Sequence, residues 1–424
     1  MKVVDRLLIL AVALTAASKP AAAQTIPLCP GLTIVTAVSQ ANGDYESIKT
    51  IESVAPAEVQ FKYSSEAPPG LLDPDMVRTT VRRRMLGADL QSAHAYQQVF
   101  LDKSDETIPG TTSLGASAAM LRELKTKGET EFQISNAYGE LTLSADRSKF
   151  PSYYNYLQQV KLKRVGTAPV TVRVLVNDRL VELPTIRGDG ESVGDKVQFL
   201  FLDDERNPLA LSFRLGIDGI KPLIPVQRQL CEKLRSIPNA PIKSAPGMRC
   251  DMPNGGDRDV LRVIKITYRC AAPAGLPAGG AGAGAGGLAG GDAGVVGGLG
   301  AGAIEQALAN SGKVDVYSIY FSFNSDVIRE ESEPALRDIA DVLRRHPAWR
   351  LALNGHTDAI GGDQANLDLS KRRSAAVKDA LVKRYAIDPN RLATSGVGKT
   401  QPKDTNDTLE GRSHNRRVEL VKVG

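Results

Sequence analysis

Three regimes of hydrophobic patterning follow one another along the chain. Residues 7–17 form a run that is apolar except for Thr15. Residues 24–273 instead alternate in short bursts. Positions 59–63, 131–135, 141–144, 170–176, 197–202, 209–215 and 263–268 either alternate apolar with polar side chains or are β-branched. A period of two is the pattern of a strand with one buried face. Turn-forming clusters at 136–139, 177–178 and 203–208 separate the bursts, and one helix is predicted over 117–127. Short strands at this spacing predict an all-β sandwich or two small β-domains.

After residue 303 the period changes. Positions 314–323 alternate, with Tyr317, Ile319, Phe321 and Phe323 on one face, and predict a strand. Ser332 and Pro334 then open a helix on which Leu336, Ile339, Val342 and Leu343 recur at helical spacing. Leu351 and Leu353 mark a second strand, which runs into Gly355-His356-Thr357-Asp358. Asp363 is placed to cap a helix reaching about Tyr385, and 391–397 and 416–423 read as two more strands. The predicted order is β-α-β-α-β-β, an α+β domain with helices packed on a sheet. The chain is therefore read as multidomain, with β-rich structure at 24–273 and the α+β domain at 304–424.

Between them lies a tether at 274–303. Positions 275–302 hold 14 glycines in 28 residues, and Asp292 is the only charge. Such a stretch has little side chain to bury and much backbone entropy to lose. Gly/Ser-type scaling gives it a root-mean-square span of about 30 Å. The two flanking parts are expected to lack a fixed mutual orientation. Gly290, Gly294 and Gly298 also fit the GxxxG spacing of packed membrane helices, but half-glycine composition generates that spacing by itself.

Composition narrows the function classes. Lys and Arg number 53 against 48 Asp and Glu, a net charge of +5, too mild and too evenly spread to imply nucleic acid. Aromatics make up 5% with one tryptophan, which is little for the two aromatic girdles of an outer-membrane barrel. Lys2 and Arg6, the apolar run and Ala21-Ala22-Ala23 predict an export signal over 1–23, cleaved after Ala23. Four cysteines remain in the exported chain: Cys29, Cys231, Cys250 and Cys270. An even count outside the cytoplasm predicts disulfides rather than a metal site. The expected pairs are Cys231–Cys250, around a Pro/Gly-rich loop, and Cys29–Cys270, joining the region's ends. The four histidines and the residue spacings offer no metal or cofactor site. No nucleophile–base pair stands out either, so no enzyme is read from the sequence.

One position breaks its pattern. Arg373 falls within the apolar arc formed by Leu369, Ala376, Val377 and Ala380. An unpaired guanidinium there would be very costly, and the topology offers Asp358 as its carboxylate. A structural Asp358–Arg373 bridge and a ligand site beyond the strand end are both open on these grounds.

Residues 314–424 resemble the OmpA-like peptidoglycan-binding domain, found in OmpA C-termini, peptidoglycan-associated lipoproteins and flagellar stator B subunits. The resemblance rests on Phe321-Ser322-Phe323-Asn324-Ser325, Gly355-His356-Thr357-Asp358, Asn366, Leu369-Ser370, Arg372-Arg373, Gly396-Val397-Gly398 and Asn415-Arg416-Arg417-Val418-Glu419. Lys399-Thr400-Gln401-Pro402 departs from the family's usual acidic residue. The resemblance implies that Asp358 and Arg373 hold the zwitterionic end of diaminopimelate, the aspartate accepting from its ammonium and the arginine clamping its carboxylate. It also places Thr357, Asn366 and Asn324 near the ligand, each with a turn or cap role as the alternative. His356 reads as structural, and Arg372, Arg416 and Arg417 as solvated faces or fold-closing ion pairs.

Together these readings describe an exported, non-catalytic periplasmic protein of a cell envelope. It would sit at the outer membrane and cell wall and be anchored to peptidoglycan. An outer-membrane or periplasmic protein is a candidate partner for the N-terminal region, which is not recognised. The alternatives are a wall-anchored enzyme or carbohydrate-binding domain at 24–273, and a membrane-anchored stator-like subunit.

Overall fold

A computed structural model describes residues 25–40, 43–67, 77–97, 107, 109–135, 157–192, 195–215, 258–270 and 300–423. The export signal at 1–23, the predicted strand at 141–144, Cys231, Cys250 and most of the tether lie outside the described residues.

The N-terminal part is one 13-stranded sheet. Its first strands are β1 Thr33–Gln40, β2 Gly43–Val54, β3 Glu58–Ala67 and β4 Val77–Leu86. The short β5 Ala95–Tyr96 and β6 Thr111–Thr112 follow, then β7 Glu129–Ser135 and β8 Leu157–Arg164. The last five are β9 Val170–Val176, β10 Arg179–Ser192, β11 Asp195–Leu202, β12 Ala210–Leu215 and β13 Arg258–Thr267. Strand β13 divides one edge, pairing with β12 through 258–262 and with β9 through Lys265 and Ile266. The path β13-β12-β11-β10-β9 thereby returns to β13. Neither the sandwich nor the pair of small domains is formed. A closed five-strand circuit carries two wings, β1–β4 on β13 and β8-β7-β5-β6 on β10.

Local chemistry accounts for the elements. Asn177 and Asp178 take positive φ of 51° and 58°, the conformation a two-residue hairpin turn needs between β9 and β10. Helices α1 Gly87–Ser92 and α2 Ala118–Thr126 decorate the sheet. Ser117 caps α2 by accepting from the Met120 amide at 3.2 Å. The helix lays Met120, Leu121 and Leu124 on Phe132, Phe199 and Phe201, one of two large apolar cores. The other gathers Phe61, Val174, Leu183, Leu202 and Ile266. Cys29 and Cys270 are joined by a disulfide with Cα atoms 6.3 Å apart. They meet because Thr33 pairs with Thr267 where β1 begins and β13 ends.

The C-terminal part contains helices α3 Ala301–Asn310, α4 Glu333–Arg345, α5 Asp363–Tyr385 and α6 Leu409–Asn415. Its strands are β14 Lys313–Val316, β15 Arg350–His356, β16 Leu392–Gly398 and β17 Val418–Val423, ordered β14-β17-β15-β16. The predicted β-α-β-α-β-β order is thus incomplete, because α3 precedes the first strand and α6 precedes the last. Helix α3 begins inside the segment expected to be tether. Only β14 forms a ladder from the predicted strand 314–323, because beyond Val316 the Tyr320 amide turns to the Ser332 hydroxyl, at 2.8 Å. Asp363 is the first residue of α5 rather than its cap, a role held by Gly362. There its carboxylate meets the positive helix end and stands 2.6 Å from Lys399.

The two parts have a defined relative placement, contrary to the expectation from the tether. Alternate residues of β1, β2 and β13 point away from the large core and supply Val35, Ala37, Ile48 and Ile264, which pack with Tyr320 and Leu409. Polar contacts surround this seam: Arg262–Glu410 at 3.1 Å, Asp178–Ser318 at 3.0 Å and Ser64–Arg329 at 2.8 Å. The sequence conceals the seam, because polar positions on a strand read as a solvated face until a second domain covers them. Among the described residues no helix is long and apolar enough to cross a membrane.

Candidate functional site

The site is assembled where β15 and β16 end against α5. Backbones touch there. A Cβ on Gly355 would lie 2.2 Å from the Ser370 carbonyl oxygen, and one on Gly396 would lie 2.5 Å from the Lys371 nitrogen, so only glycine allows the helix this close. Ser370 completes the join, its hydroxyl donating to the Leu367 carbonyl at 2.8 Å and accepting from the Gly398 amide at 2.9 Å.

Asp358 follows directly on β15 and is buried. One carboxylate oxygen accepts from the Ile360 amide at 3.0 Å, and the other from Arg416 Nη1 at 2.6 Å. Arg373, on α5, donates from Nε to the Ser325 carbonyl at 2.9 Å and lays its guanidinium over the Phe321 ring at 4.9 Å. Burial, reinforced by the Arg416 charge, lowers its pKa to about 10 against the pull of Asp358 and Glu46. The expected Asp358–Arg373 bridge is therefore replaced. Asp358 pairs with Arg416, while Arg373 is satisfied by a backbone carbonyl and an aromatic face, which explains its tolerance of an apolar arc.

The other candidates divide. Asn366 is buried and donates from Nδ2 to the Ile360 carbonyl at 3.0 Å, bracing the loop that carries Asp358. Thr357 is buried, its amide bonds the Gly398 carbonyl, and its hydroxyl has no hydrogen-bond partner. Asn324 is exposed at a tight turn with φ of 48°. Arg417 closes the fold through Asp315 at 2.9 Å, and Arg372 is an exposed residue 3.6 Å from Asp326. His356 is buried with both ring nitrogens unpartnered, and desolvation, then the Arg417 charge, lowers its pKa to about 4.

Arg416, read from the sequence as a solvated face or a fold-closing ion pair, stands at the site as an ion-pair partner of Asp358. Its guanidinium bridges Asp358 and, at 2.5 Å through Nη2, Glu46 of strand β2. Burial alone would raise the Glu46 pKa, but the Lys265, Arg416 and Arg329 charges override it and hold the carboxylate down at about 2. The available signal was the alternation of Arg416 and Arg417, which sends neighbouring guanidiniums to opposite sides. Chemically, the aspartate can still accept from a donor through its free lone pairs, and the two guanidiniums can donate to an anion.

Asp404, Glu410 and His414 form the single carboxylate–imidazole group compact enough for a cation among the described residues. Arg173 stands 3.5 Å from Asp404 and Arg262 stands 3.1 Å from Glu410, so guanidiniums already balance these charges.

A model of the OmpA family matches residues 320–416, which contain Asn324, Thr357, Asp358, Asn366, Arg373 and Arg416 but not Glu46 or Arg417. The chain is 38% identical over 101 residues to outer membrane porin F of Pseudomonas aeruginosa, covering 24% of this chain and 29% of that protein. It is 34% identical over 128 residues to the peptidoglycan-associated lipoprotein of Brucella melitensis, covering 30% of this chain and 76% of that protein. The chain belongs to the OmpA family. A solved peptidoglycan-associated lipoprotein from Burkholderia pseudomallei is similar at 28% identity, over 25% of this chain and 88% of that one, with a TM-score of 0.24. The chain spans less than a third of porin F, and the matched OmpA segment lies wholly within the C-terminal domain.

Proposed function

We propose that the OmpA domain anchors this protein to the cell wall by binding the diaminopimelate of the peptidoglycan stem peptide, without catalysis. The carrying observation is the Asp358–Arg416 ion pair, within electrostatic reach of the Arg373 guanidinium, at the glycine-tight junction of β15 and α5. Asp358 has acceptor capacity beyond its two present bonds, enough to take an ammonium. Arg373 offers its remaining donors to a carboxylate as a planar fork, and Arg416 shares that carboxylate. The match to a Brucella protein named peptidoglycan-associated lipoprotein supports the same reading, as does the cell-envelope setting of the relatives' names. Lysine-type peptidoglycan lacks the second carboxylate and binds more weakly. Thr357 and Asn324 line the approach, and Asn366 acts by holding the Asp358 loop. The protein is exported and works at the outer membrane and wall, with the β-sheet domain carried by the anchor.

The test is co-sedimentation of the full chain with diaminopimelate-type sacculi. Truncating one partner of a buried, hydrogen-bonded charge pair costs ~2–5 kcal/mol, so Asp358→Ala should weaken binding roughly 30-fold or more. Arg373→Lys keeps the charge but loses the fork and should impair binding too. A folded Asp358→Ala chain that sediments like wild type refutes the assignment.

A further inference from the structure

The N-terminal sheet reaches this same site. Glu46, on β2, binds Arg416 at 2.5 Å, and Arg416 is the residue that holds Asp358. Glu66, on β3, accepts from the Ser322 hydroxyl at 2.9 Å and the Phe323 amide at 2.8 Å. These donors stand on the turn whose Ser325 carbonyl receives Arg373. Two carboxylates of one domain are thus delivered to the rim of the other domain's anion-binding site. Charge explains the fit, because Asp358, Arg373 and Arg416 together carry one positive charge more than they balance. Glu46 supplies the missing negative charge.

We propose that the N-terminal β-sheet is a built-in competitor for the wall ligand, with Glu46 giving Arg416 the carboxylate that peptidoglycan would otherwise give. This inference rests on the wall-binding reading of the site. In the closed chain the Glu46 carboxylate and the ligand carboxylate claim the same guanidinium, so wall binding requires the domains to part. The seam suits parting. Its apolar centre is six residues, four of them on the sheet, and the rest is ion pairs and hydrogen bonds that water can replace. Polar seams of this kind between domains of one chain are the ones that open. A receptor competent only when open binds with its affinity reduced by the open fraction.

The experiment uses full-length chains. Glu46→Gln and Glu66→Gln, separately and together, are compared with wild type for binding to a soluble diaminopimelate-containing muropeptide. Hydrogen exchange is followed at 43–67 and 320–328 with and without the muropeptide. The double variant should bind roughly tenfold more tightly, by release of the closed fraction. Saturating muropeptide should raise exchange at 43–67 in wild type, as the sheet is displaced. Equal affinity of wild type and variants, with exchange at 43–67 unchanged by the muropeptide, overturns the competitor. If no chain binds muropeptide or sacculi, the wall-binding reading itself fails and the competitor fails with it. If Glu46→Gln does not fold, Glu66→Gln and the wild-type exchange decide the matter.

Discussion

Arg416 contributes through its position between two carboxylates, Asp358 of its own domain and Glu46 of the other. His356, whose amide donates to the Arg417 carbonyl, shows the opposite treatment of charge. Burial without a hydrogen-bond partner, with the Arg417 charge, outweighs Glu419 at 3.9 Å and keeps the imidazole neutral, with a pKa of about 4 against 6.5 for the free side chain. An unfolded chain takes up a proton as pH falls below 6.5, and the folded chain does not until about 4. This residue's contribution is therefore complete above pH 6.5 and is lost as pH falls through that window. At 1.36 kcal/mol per pH unit the loss approaches about 3 kcal/mol. Urea midpoints at pH 7 and pH 4.5 should fall further for wild type than for His356→Phe. Equal falls would show that the imidazole is not the group concerned. At this scale the sequence revealed Asp358 and Arg373, because a guanidinium in an apolar arc and an aspartate at a strand end violate their local patterns. Their true partners were hidden. Arg416 lies 58 residues from Asp358 and 370 from Glu46, and neither helical nor strand periodicity relates such positions.

The contact between β15 and α5 is set by residues that lack side chains. Gly355→Ala would drive a Cβ into the Ser370 carbonyl, a backbone atom that cannot turn aside. Helix or strand must move, and overpacking of this kind costs ~1–3 kcal/mol or more. Since Asp358 is three residues along, the same shift misplaces the carboxylate. Gly355→Ala should thus lower both the unfolding midpoint and wall binding, whereas Gly302→Ala, with open space around it, should change neither. A Gly355→Ala chain of wild-type stability would contradict this packing. Elements with a strong apolar run or a clear apolar face were legible, among them α4, β9 and β11. Elements that mix polar and apolar side chains on both faces were not. Strand β2 buries Ile48 and Lys49 in succession, which erases the alternation. The run 314–323 alternates strongly, yet its second half spends its apolar side chains on Tyr320 against the other domain and Phe321 beneath Arg373.

At the level of the molecule, the glycine-rich composition of 275–302 suggested two independent bodies, and what it could not report is how their surfaces match. The surfaces match through small groups of charges spread over β2, β3 and β13, each unremarkable on its own strand. The Cys29–Cys270 disulfide has a mechanical consequence. Under the proposed wall anchoring the chain bears tension, and tension applied between residue 25 and the OmpA domain enters the sheet at one cysteine and leaves at the other. The covalent link carries that load directly, so the chain between the two positions, a sequence separation of 241, is bypassed. Pulled between these points, the oxidised chain should extend without releasing the sheet. After reduction the sheet joins the load path and should add on the order of 800 Å of contour at ~3.4 Å per residue. A force trace with the same total extension before and after reduction would show that the bond does not shield the sheet. The OmpA domain, with no cysteine of its own, would then be the part of the chain that yields first under load, and the sheet would remain folded as long as its two ends stay tied.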